Sequence, residues 1–235
     1  MAGVLYLVPN LLGVVAPGDV LPARTMAIAC ELAHWVVETP KPARAFLKSL
    51  APARPIAQLS IEPIGEPRDA DRVAHLLRPL REGHDLGVLS DAGCPGVADP
   101  GATIVAAAHA AGFRIVPLVG PSSLLLALMA AGMNGQRFAF HGYLPVKAEP
   151  RVAALRTLEA GSRAGGVTQL FIETPYRNVA MLTSMLETLA PATRVCVAVD
   201  LTLPTESIST RPVREWRGSD VGGYDKRPAI FLLEA

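Results

Sequence analysis

The chain has 235 residues, of which 50% are hydrophobic and 18% charged, and its formal net charge is +1 at pH 7. This length suffices for one large domain or two small ones, each with a buried core. The near-zero charge gives no overall attraction to nucleic acid, no apolar run is long enough to cross a bilayer, and residues 1–6 lack the charged segment of a secretory signal, so we expect a cytoplasmic protein with no membrane association.

Predicted strands and helices alternate in the first half of the chain. Asp69 is the expected N-cap of one helix, in which Val73, Leu76 and Leu80 recur at helical spacing. The predicted elements are a strand at 4–9, a loop at 10–19, a helix at 24–34, a strand at 35–38, a helix at 42–50, a strand at 56–61, a helix at 69–80 and a strand at 86–89.

The second half continues the alternation. Its predicted elements are a helix at 102–111, a strand at 113–118, a helix at 124–131, a strand at 138–142, a helix at 149–159, a strand at 167–173, a helix at 178–189, a strand at 194–200, an extended segment at 207–209 and a strand at 228–234. This order predicts two α/β domains, residues 1–118 and 119–235, with mostly parallel sheets and an interdomain cleft.

Residues 87–101 are the first candidate for a binding site. An apolar strand there runs into a loop of Gly, Pro, Asp and Ser, and a helical pattern follows. Such strand ends expose main-chain groups to ligands, and glycine lets a ligand approach closely. The loop matches neither G-x-G-x-x-G nor G-x-x-x-x-G-K-S/T, so a phosphate cradle of either kind is not predicted. The alternative is an ordinary connection between strand and helix.

Polar side chains follow four of the predicted strands, and we expect them to line the cleft. They are Ser90 and Asp91, Ser122 and Ser123, Glu173 and Thr174, and Asp200 and Thr202. The sequence has no H-E-x-x-H, no Cys/His cluster and no G-x-S-x-G, so neither a metal nor a serine nucleophile is predicted. Such a site favours group transfer from an activated donor.

Cysteines and cations give weaker signals. Cys30, Cys94 and Cys196 form no C-x-x-C pair, so no disulfide framework or zinc site is predicted. Five cations lie close together in the sequence, with Glu31 and Glu38 among them. This segment is either a local RNA-binding patch or a solvated helix face. The cations are Arg24, Lys41, Arg44, Lys48 and Arg54.

Several motifs together resemble one family. They are Leu5-Tyr6-Leu7-Val8-Pro9, Ser90-Asp91-Ala92-Gly93-Cys94-Pro95, Asp99-Pro100-Gly101, Val116-Pro117-Leu118-Val119-Gly120-Pro121-Ser122-Ser123, Phe140-His141-Gly142-Tyr143-Leu144-Pro145 and Phe171-Ile172-Glu173-Thr174-Pro175-Tyr176-Arg177. The chain is identified as a member of the tetrapyrrole (corrin/porphyrin) methylase superfamily. It most resembles the branch that methylates a ribose 2′-hydroxyl of small-subunit ribosomal RNA.

The resemblance implies an S-adenosylmethionine-dependent methyltransferase that acts on ribosomal RNA, forms a homodimer and uses no metal. It also places a small, Thr-like residue at the position of Cys94, so we expect Cys94 to be a spectator. Because a ribose hydroxyl is a weak acid, we expect a general base and assign that role to Glu173, with Arg177 binding a phosphate or orienting that carboxylate. The alternative is that these two residues simply pair across a helix turn. The expected cofactor-binding residues are Ser90, Ala92, Gly93, Pro95, Val97, Asp99, Ser122, Ser123, Thr174, Asp200, Leu201, Pro228 and Ala229.

The chain departs from the ribose-methylating branch at three places on the acceptor side. Leu203 stands where that branch has a Lys, and the runs Glu38-Thr39-Pro40-Lys41 and Ser60-Ile61-Glu62-Pro63 differ from the acidic and His-rich segments of the branch. Two alternatives therefore remain, namely a methylase of a tetrapyrrole or other small molecule and a cofactor-binding module without catalysis.

Overall fold

The structure is a computed structural model that describes residues 2–66 and 69–235. The chain divides into two compact units, unit 1 ending at Ser122 and unit 2 spanning Ser123–Ala235. This division lies four residues beyond the predicted one, because the intervening segment is held by unit 1. Thr25 Oγ1 donates a hydrogen bond to the carbonyl of Val119 at 2.7 Å, and Cys94 Sγ donates to the carbonyl of Pro121 at 3.5 Å.

Unit 1 is an α/β unit with a five-stranded sheet. The strand order is β3-β2-β4-β1-β5, and every neighbouring pair is parallel, as the sequence predicted for this half. Its elements are β1 (Val4–Leu7), α1 (Pro17–Val20), α2 (Ala23–Glu31), β2 (His34–Val37), α3 (Pro40–Ser49), β3 (Ser60–Pro63), α4 (Ala70–Leu76), α5 (Arg78–Arg81), β4 (Leu86–Leu89), α6 (Gly101–Ala110) and β5 (Arg114–Pro117).

Helices cover both faces of this sheet. On one face Leu5, Val36 and Val88 pack with residues of α4, α5 and α6, and on the other Trp35 and Val37 pack with residues of α2 and α3. Because the middle of a parallel sheet is buried on both sides, the inner strand β4 is fully buried and has no polar side chain, whereas the edge strands β3 and β5 begin with the exposed residues Ser60 and Arg114.

Local chemistry accounts for where the unit 1 elements begin and end. Asp69 caps α4, as predicted, with its carboxylate accepting from the N–H groups of Asp71 and Arg72 at 3.0 Å. The single helix predicted at 69–80 is two helices, because Pro79 has no N–H to continue the hydrogen-bonding pattern. The strand predicted at 56–61 was misplaced: Ile56–Gln58 is a 3-10 turn, and β3 starts at Ser60.

Unit 2 is also α/β, with the strand order β6-β7-β10-β8-β9. Its elements are α7 (Ser123–Ala131), β6 (Phe138–Tyr143), α8 (Ala148–Gly165), β7 (Thr168–Glu173), α9 (Asn178–Thr188), β8 (Arg194–Val199), β9 (Ser207–Pro212), α10 (Val213–Trp216) and β10 (Ala229–Glu234).

Parallel pairs are in the majority over the two sheets, as predicted, but the sheet of unit 2 taken alone is mixed. β6 and β7 are parallel, but β10 runs antiparallel to both β7 and β8, and β8 runs antiparallel to β9. Only residues 200–206 separate β8 from β9, and a parallel pair needs a crossover of about a dozen residues or more. The short connection therefore forces a hairpin, and the core of the unit forms around β10, where Phe171 and Phe231 stack at 5.7 Å between ring centroids.

Candidate active site

The loop after β4 carries six of the predicted cofactor-binding residues, and Asn10 fastens it to the end of β1. The Asn10 side-chain amide donates to the carbonyls of Ser90 and Asp91 at 2.9 and 3.0 Å, and the Asn10 N–H donates to the carbonyl of Gly93 at 2.9 Å. Asn10 and Ser90 are each 5% exposed. The strand-end loop is thus fixed by main-chain groups rather than by its own apolar packing.

Asp99 organises the second half of the same loop. Its carboxylate accepts from the N–H of Gly96 at 2.9 Å and from the N–H of Gly101, the first residue of α6, at 2.6 Å. Burial raises the pKa of Asp99, and these hydrogen bonds oppose the rise by favouring the charged form. A Cβ at Gly101 would lie 2.7 Å from this carboxylate, so the position requires glycine. The hydrogen bonds within the loop therefore account for the partly buried position of Asp99, without any contact between this carboxylate and a cofactor.

Asp91 ties the loop to the end of β2. Its two carboxylate oxygens accept from the N–H and the hydroxyl of Thr39, at 3.1 and 2.8 Å, while its own N–H donates to Glu38 Oε2 at 3.0 Å. The ends of β1, β2 and β4 therefore meet at one edge of the sheet, as the strand-end argument predicted.

The remaining predicted residues of this half are Ala92, Pro95, Val97 and the serine pair. Ala92 and Val97 are exposed, Val97 to 47%, whereas Gly93 and Pro95 are buried in the loop. Gly93 adopts a φ of +68°, which glycine alone adopts at no cost. Ser122 is the last residue of unit 1, and Ser123 is the first residue of α7 in unit 2.

In unit 2 the predicted residues Glu173, Thr174 and Arg177 form one cluster at the end of β7. Arg177 donates to Glu173 Oε1 through Nε at 2.9 Å and through a terminal guanidinium nitrogen at 2.5 Å, and the N–H of Thr174 donates to the same oxygen at 2.7 Å. The Glu173 side chain is fully buried. Its hydrogen bonds raise the pKa of Arg177. The simple helix-turn pairing that the sequence left open is therefore present.

Asp200 is the centre of a second cluster, at the end of β8. It is 8% exposed and adopts a φ of +52°, a conformation that Asp tolerates better than most residues. Its carboxylate accepts from Arg227 Nε and from the hydroxyl of Thr205, each at 2.8 Å, and its N–H donates to the carbonyl of Pro228 at 3.0 Å.

The two clusters lie at the same edge of the unit 2 sheet. Ala229 is the direct partner of Glu173 on one side and of Val199 on the other. Residues predicted on three separate segments, at 173–177, 200–201 and 228–229, are consequently neighbours at the edge where β7 and β8 end and β10 begins.

Three buried polar atoms at this edge lack partners. Throughout residues 2–66 and 69–235, the buried side-chain oxygens and nitrogens without a hydrogen bond are Glu173 Oε2, Asn178 Oδ1 and Thr202 Oγ1. Leaving a buried polar atom unpaired costs about 1–3 kcal/mol, so such atoms are rare away from functional sites. Two are acceptors and the third is a hydroxyl, a set that fits a ligand bearing N–H and O–H groups.

Sequence reasoning missed three residues that build these sites. Asn10 fastens the unit 1 loop, Arg227 pairs with Asp200, and Asn178 joins the start of α9 to the chain before β10 by donating to the carbonyls of Tyr224 and Arg227 at 2.9 and 2.6 Å. A signal was present for Asn10, which directly follows a predicted strand. None was present for Asn178 and Arg227, which become neighbours only because β10 inserts beside β7.

Two features are absent from the described part of the chain. No group of three or more His, Cys, Asp and Glu side chains is arranged to hold a metal ion. No helix there combines the length and apolar character that a membrane crossing demands.

Two α/β units in this order are a fold found in methyltransferases of known structure. The methyltransferase CobJ superposes with a TM-score of 0.64 at 23% identity, over 100% of this chain and 94% of that one. Uroporphyrin-III C-methyltransferase from Thermus thermophilus, solved in complex with S-adenosylhomocysteine, superposes with a TM-score of 0.56 at 17% identity, over 99% and 97% of the two chains. At these identities the likeness shows the fold alone.

The sequence itself gives the family. The model of the Tetrapyrrole (Corrin/Porphyrin) Methylases family matches residues 24–216, and the chain belongs to this family. Proteins named ribosomal RNA small subunit methyltransferase I are similar to it: that of Escherichia coli O157:H7 is 39% identical over 60% of this chain and 48% of its own length, and that of Pseudomonas aeruginosa is 30% identical over 93% and 74%. The chain thus spans about half the length of the first of these curated relatives.

Proposed function

We propose that this protein transfers a methyl group from S-adenosylmethionine to a ribose 2′-hydroxyl of ribosomal RNA. The observation that carries the proposal is the gathering of predicted residues from 173–177, 200–201 and 228–229 at one sheet edge that also holds three unpartnered buried polar atoms. Its support also includes the family, whose members are methylases, and relatives named for methylation of small-subunit ribosomal RNA.

The residues present fit the methyl donor. A methyl donor with an adenine amino group, ribose hydroxyls and an ammonium group carries N–H and O–H groups that can pair with Asn178 Oδ1 and Thr202 Oγ1, which have no partner in the protein. In unit 1, main-chain groups of Ala92, Gly93 and Val97 would contribute further contacts. The cleft that would bring the contacts of unit 1 and unit 2 to one donor molecule remains a prediction.

S-adenosylmethionine supplies an activated methyl group on a sulfonium leaving group, so the protein has to align the acceptor and accept one proton. A proton acceptor must come within about 2.6–3.2 Å of the hydroxyl. Because Glu173 Oε1 already accepts from Arg177 and Thr174, the catalytic role predicted for Glu173 falls to Oε2. That oxygen is buried and unpaired, so this role requires it to become accessible to the acceptor hydroxyl, while Arg177 and the N–H of Thr174 hold Oε1 in place.

Two measurements test the proposal in sequence. First, S-adenosylhomocysteine should raise the melting temperature in a concentration-dependent way, because a ligand that binds only the folded state stabilises it by mass action. Second, the protein with labelled donor should methylate small ribosomal subunits from a strain that lacks it. Donor binding without transfer to the subunits would favour the second candidate, a small-molecule methylase, for which the tetrapyrrole family description is the support.

We also propose a homodimer that acts in the cytoplasm, where ribosomal RNA is found. β6 lies at the edge of its sheet, and Phe138 and Tyr143 on it are 46% and 58% exposed. Burying such apolar side chains is the usual reason for association. Sedimentation velocity should give a dimer for the native chain and a monomer for Tyr143→Lys, and a native monomer would refute the dimer.

A further inference from the structure

A stripe of basic residues runs along α3 in unit 1 and is made of Lys41, Arg44 and Lys48. The three residues stand at positions i, i+3 and i+7, so they share one face over about 10 Å of helix. All three are exposed, and none is paired with a carboxylate in the described residues.

The structure separates this stripe from the acidic residues that surround it in the sequence. Glu38 is occupied by the N–H of Asp91, and Glu31 lines a cavity beside His34, which begins β2 at the opposite edge of the sheet. Arg54 lines that other cavity too, so it does not belong to the stripe. Three positive charges therefore lie on one helix face without an ion-pair partner in the described residues.

A cavity of about 360 Å³ adjoins the stripe at the carboxyl edge of the sheet. Its walls are the loop after β1, which includes Leu12 and Val14, and α3 residues that directly follow the cations in sequence, namely Pro42, Ala45 and Ser49. The lining is mostly apolar, although Val14 is 98% exposed. Asp91 and Ala92 of the candidate donor loop complete the wall.

Charge divides this surface into two parts. The cations attract phosphate groups, whereas the Asp91 carboxylate inside the cavity repels them and can accept from an amino group in addition to Thr39. Few main-chain donors are available at the start of α3, because Pro40 and Pro42 have no N–H and that of Thr39 is occupied by Asp91, so the contacts on the stripe come mainly from side chains.

We propose that this surface binds single-stranded RNA, with the α3 stripe on its phosphates and an unstacked nucleobase in the adjoining cavity. Proteins recognise single-stranded RNA by this combination of backbone cations and pockets for splayed bases. The inference rests on the proposed RNA methylation and identifies where unit 1 would hold the acceptor strand.

The first test replaces the stripe with K41Q/R44Q/K48Q and compares it with R114Q/K147Q/R156Q, which removes three exposed cations scattered over both units. Binding of a fluorescein-labelled single-stranded RNA is measured over a range of salt concentrations. The stripe variant should lose about 2 from the log–log salt slope, at about 0.7 per phosphate contact, while the control keeps the native slope. Both variants should keep the native thermal shift with S-adenosylhomocysteine.

The second test fills the cavity with Ala45→Phe and uses Ala153→Phe, at an exposed position on α8, as its control. Ala45→Phe should reduce methyl transfer at least about tenfold and leave the salt slope unchanged, because the phosphate contacts remain. If the stripe variant matches its control while the native protein methylates ribosomal subunits, this inference is wrong and the proposed function stands. If the native protein binds S-adenosylhomocysteine but methylates no RNA, the proposed function fails.

Discussion

The two candidate sites are held together by different kinds of interaction. In unit 1 the loop at 90–101 is held by main-chain hydrogen bonds to Asn10 and Asp99, and its bends depend on glycine. In unit 2 the edge is held by two ion pairs between largely buried carboxylates and arginines, Glu173–Arg177 and Asp200–Arg227. A main-chain loop tolerates most side-chain changes, whereas a buried charge that loses its partner is costly. Substitutions should therefore do more harm in unit 2.

The largest expected effect is on catalysis, from Glu173→Gln. The amide oxygen can still accept from Thr174, but the variant lacks a basic oxygen and the charge that faces Arg177. We expect methyl transfer to fall at least about 100-fold, which is the usual contribution of a general base. Glu187→Gln, at an exposed position on α9, is the control and should keep native activity. Native rates for both variants would show that Glu173 takes no part in catalysis.

The next largest effect is on stability, from Asp200→Ala. This change removes the partner of Arg227 and the acceptor of Thr205, and it places Ala in the left-handed region. We expect the free energy of unfolding to fall by about 2–3 kcal/mol. Asp200→Asn should lose less, because Asn tolerates that conformation and keeps an acceptor oxygen. Urea unfolding measures both, and equal losses would mean that neither the retained acceptor oxygen nor the tolerance of the left-handed conformation contributes to stability.

A smaller effect, of opposite sign in the two units, is expected in the pH dependence of stability. Burial raises the pKa of Asp99 in unit 1 above its usual 3.8, so its ionisation costs stability as pH rises through the folded-state value. In unit 2 burial alone would raise the pKa of Glu234, but hydrogen bonds from Arg194 and the N–H of Asn134 bring it below the usual 4.5. Its contribution is present above pH 4.5 and is lost as pH falls through the folded-state value.

Urea unfolding of the native protein, Asp99→Asn and Glu234→Gln across acidic to neutral pH separates these two contributions. Relative to Asp99→Asn, the native protein should lose stability with rising pH above 3.8. Relative to Glu234→Gln, it should lose stability with falling pH below 4.5. If both stability differences changed in the same direction with pH, the opposite contributions assigned to Asp99 and Glu234 would be wrong.

The smallest effect is expected at Cys94. Burial and the nearby charge of Asp99 raise the pKa of this thiol, and its Sγ donates to the carbonyl of Pro121. Since a serine hydroxyl can make the same contact, Cys94→Ser should change the free energy of unfolding by less than about 0.5 kcal/mol. Iodoacetamide should label Cys94 more slowly in the folded protein than in urea, because the thiolate is the reactive form. Fast labelling would argue against a spectator role.

Sequence patterns predicted unit 1 better than unit 2 for a physical reason. The strands of unit 1 are joined through helices, and alternating strands and helices specify a parallel sheet. In unit 2, β10 lies between two strands that precede it, and no local pattern records where a strand inserts. The hairpin of β8 and β9 was recoverable, because its short connection already rules out a crossover.

The same reason limits the prediction of the candidate sites. The motif at 90–95 and the strand ends at Glu173 and Asp200 carry polar residues directly after apolar runs, so they could be found from sequence. The partners that fix them come from far along the chain: Asn10 is 80 residues from Ser90, and Arg227 is 27 residues from Asp200. Contacts between such distant residues depend on the fold and leave no periodic signal.

The central place of β10 also sets an order of events during synthesis. Every strand of the unit 1 sheet precedes Ser122, so that sheet can close while later residues are still being translated. β7 and β8 cannot join one sheet until Ala229–Glu234, which forms β10 between them, leaves the ribosome. Their apolar side chains stay incompletely packed until then. A ribosome stalled before this strand would therefore carry a finished unit 1 and an open unit 2, exposed to chaperones and proteases.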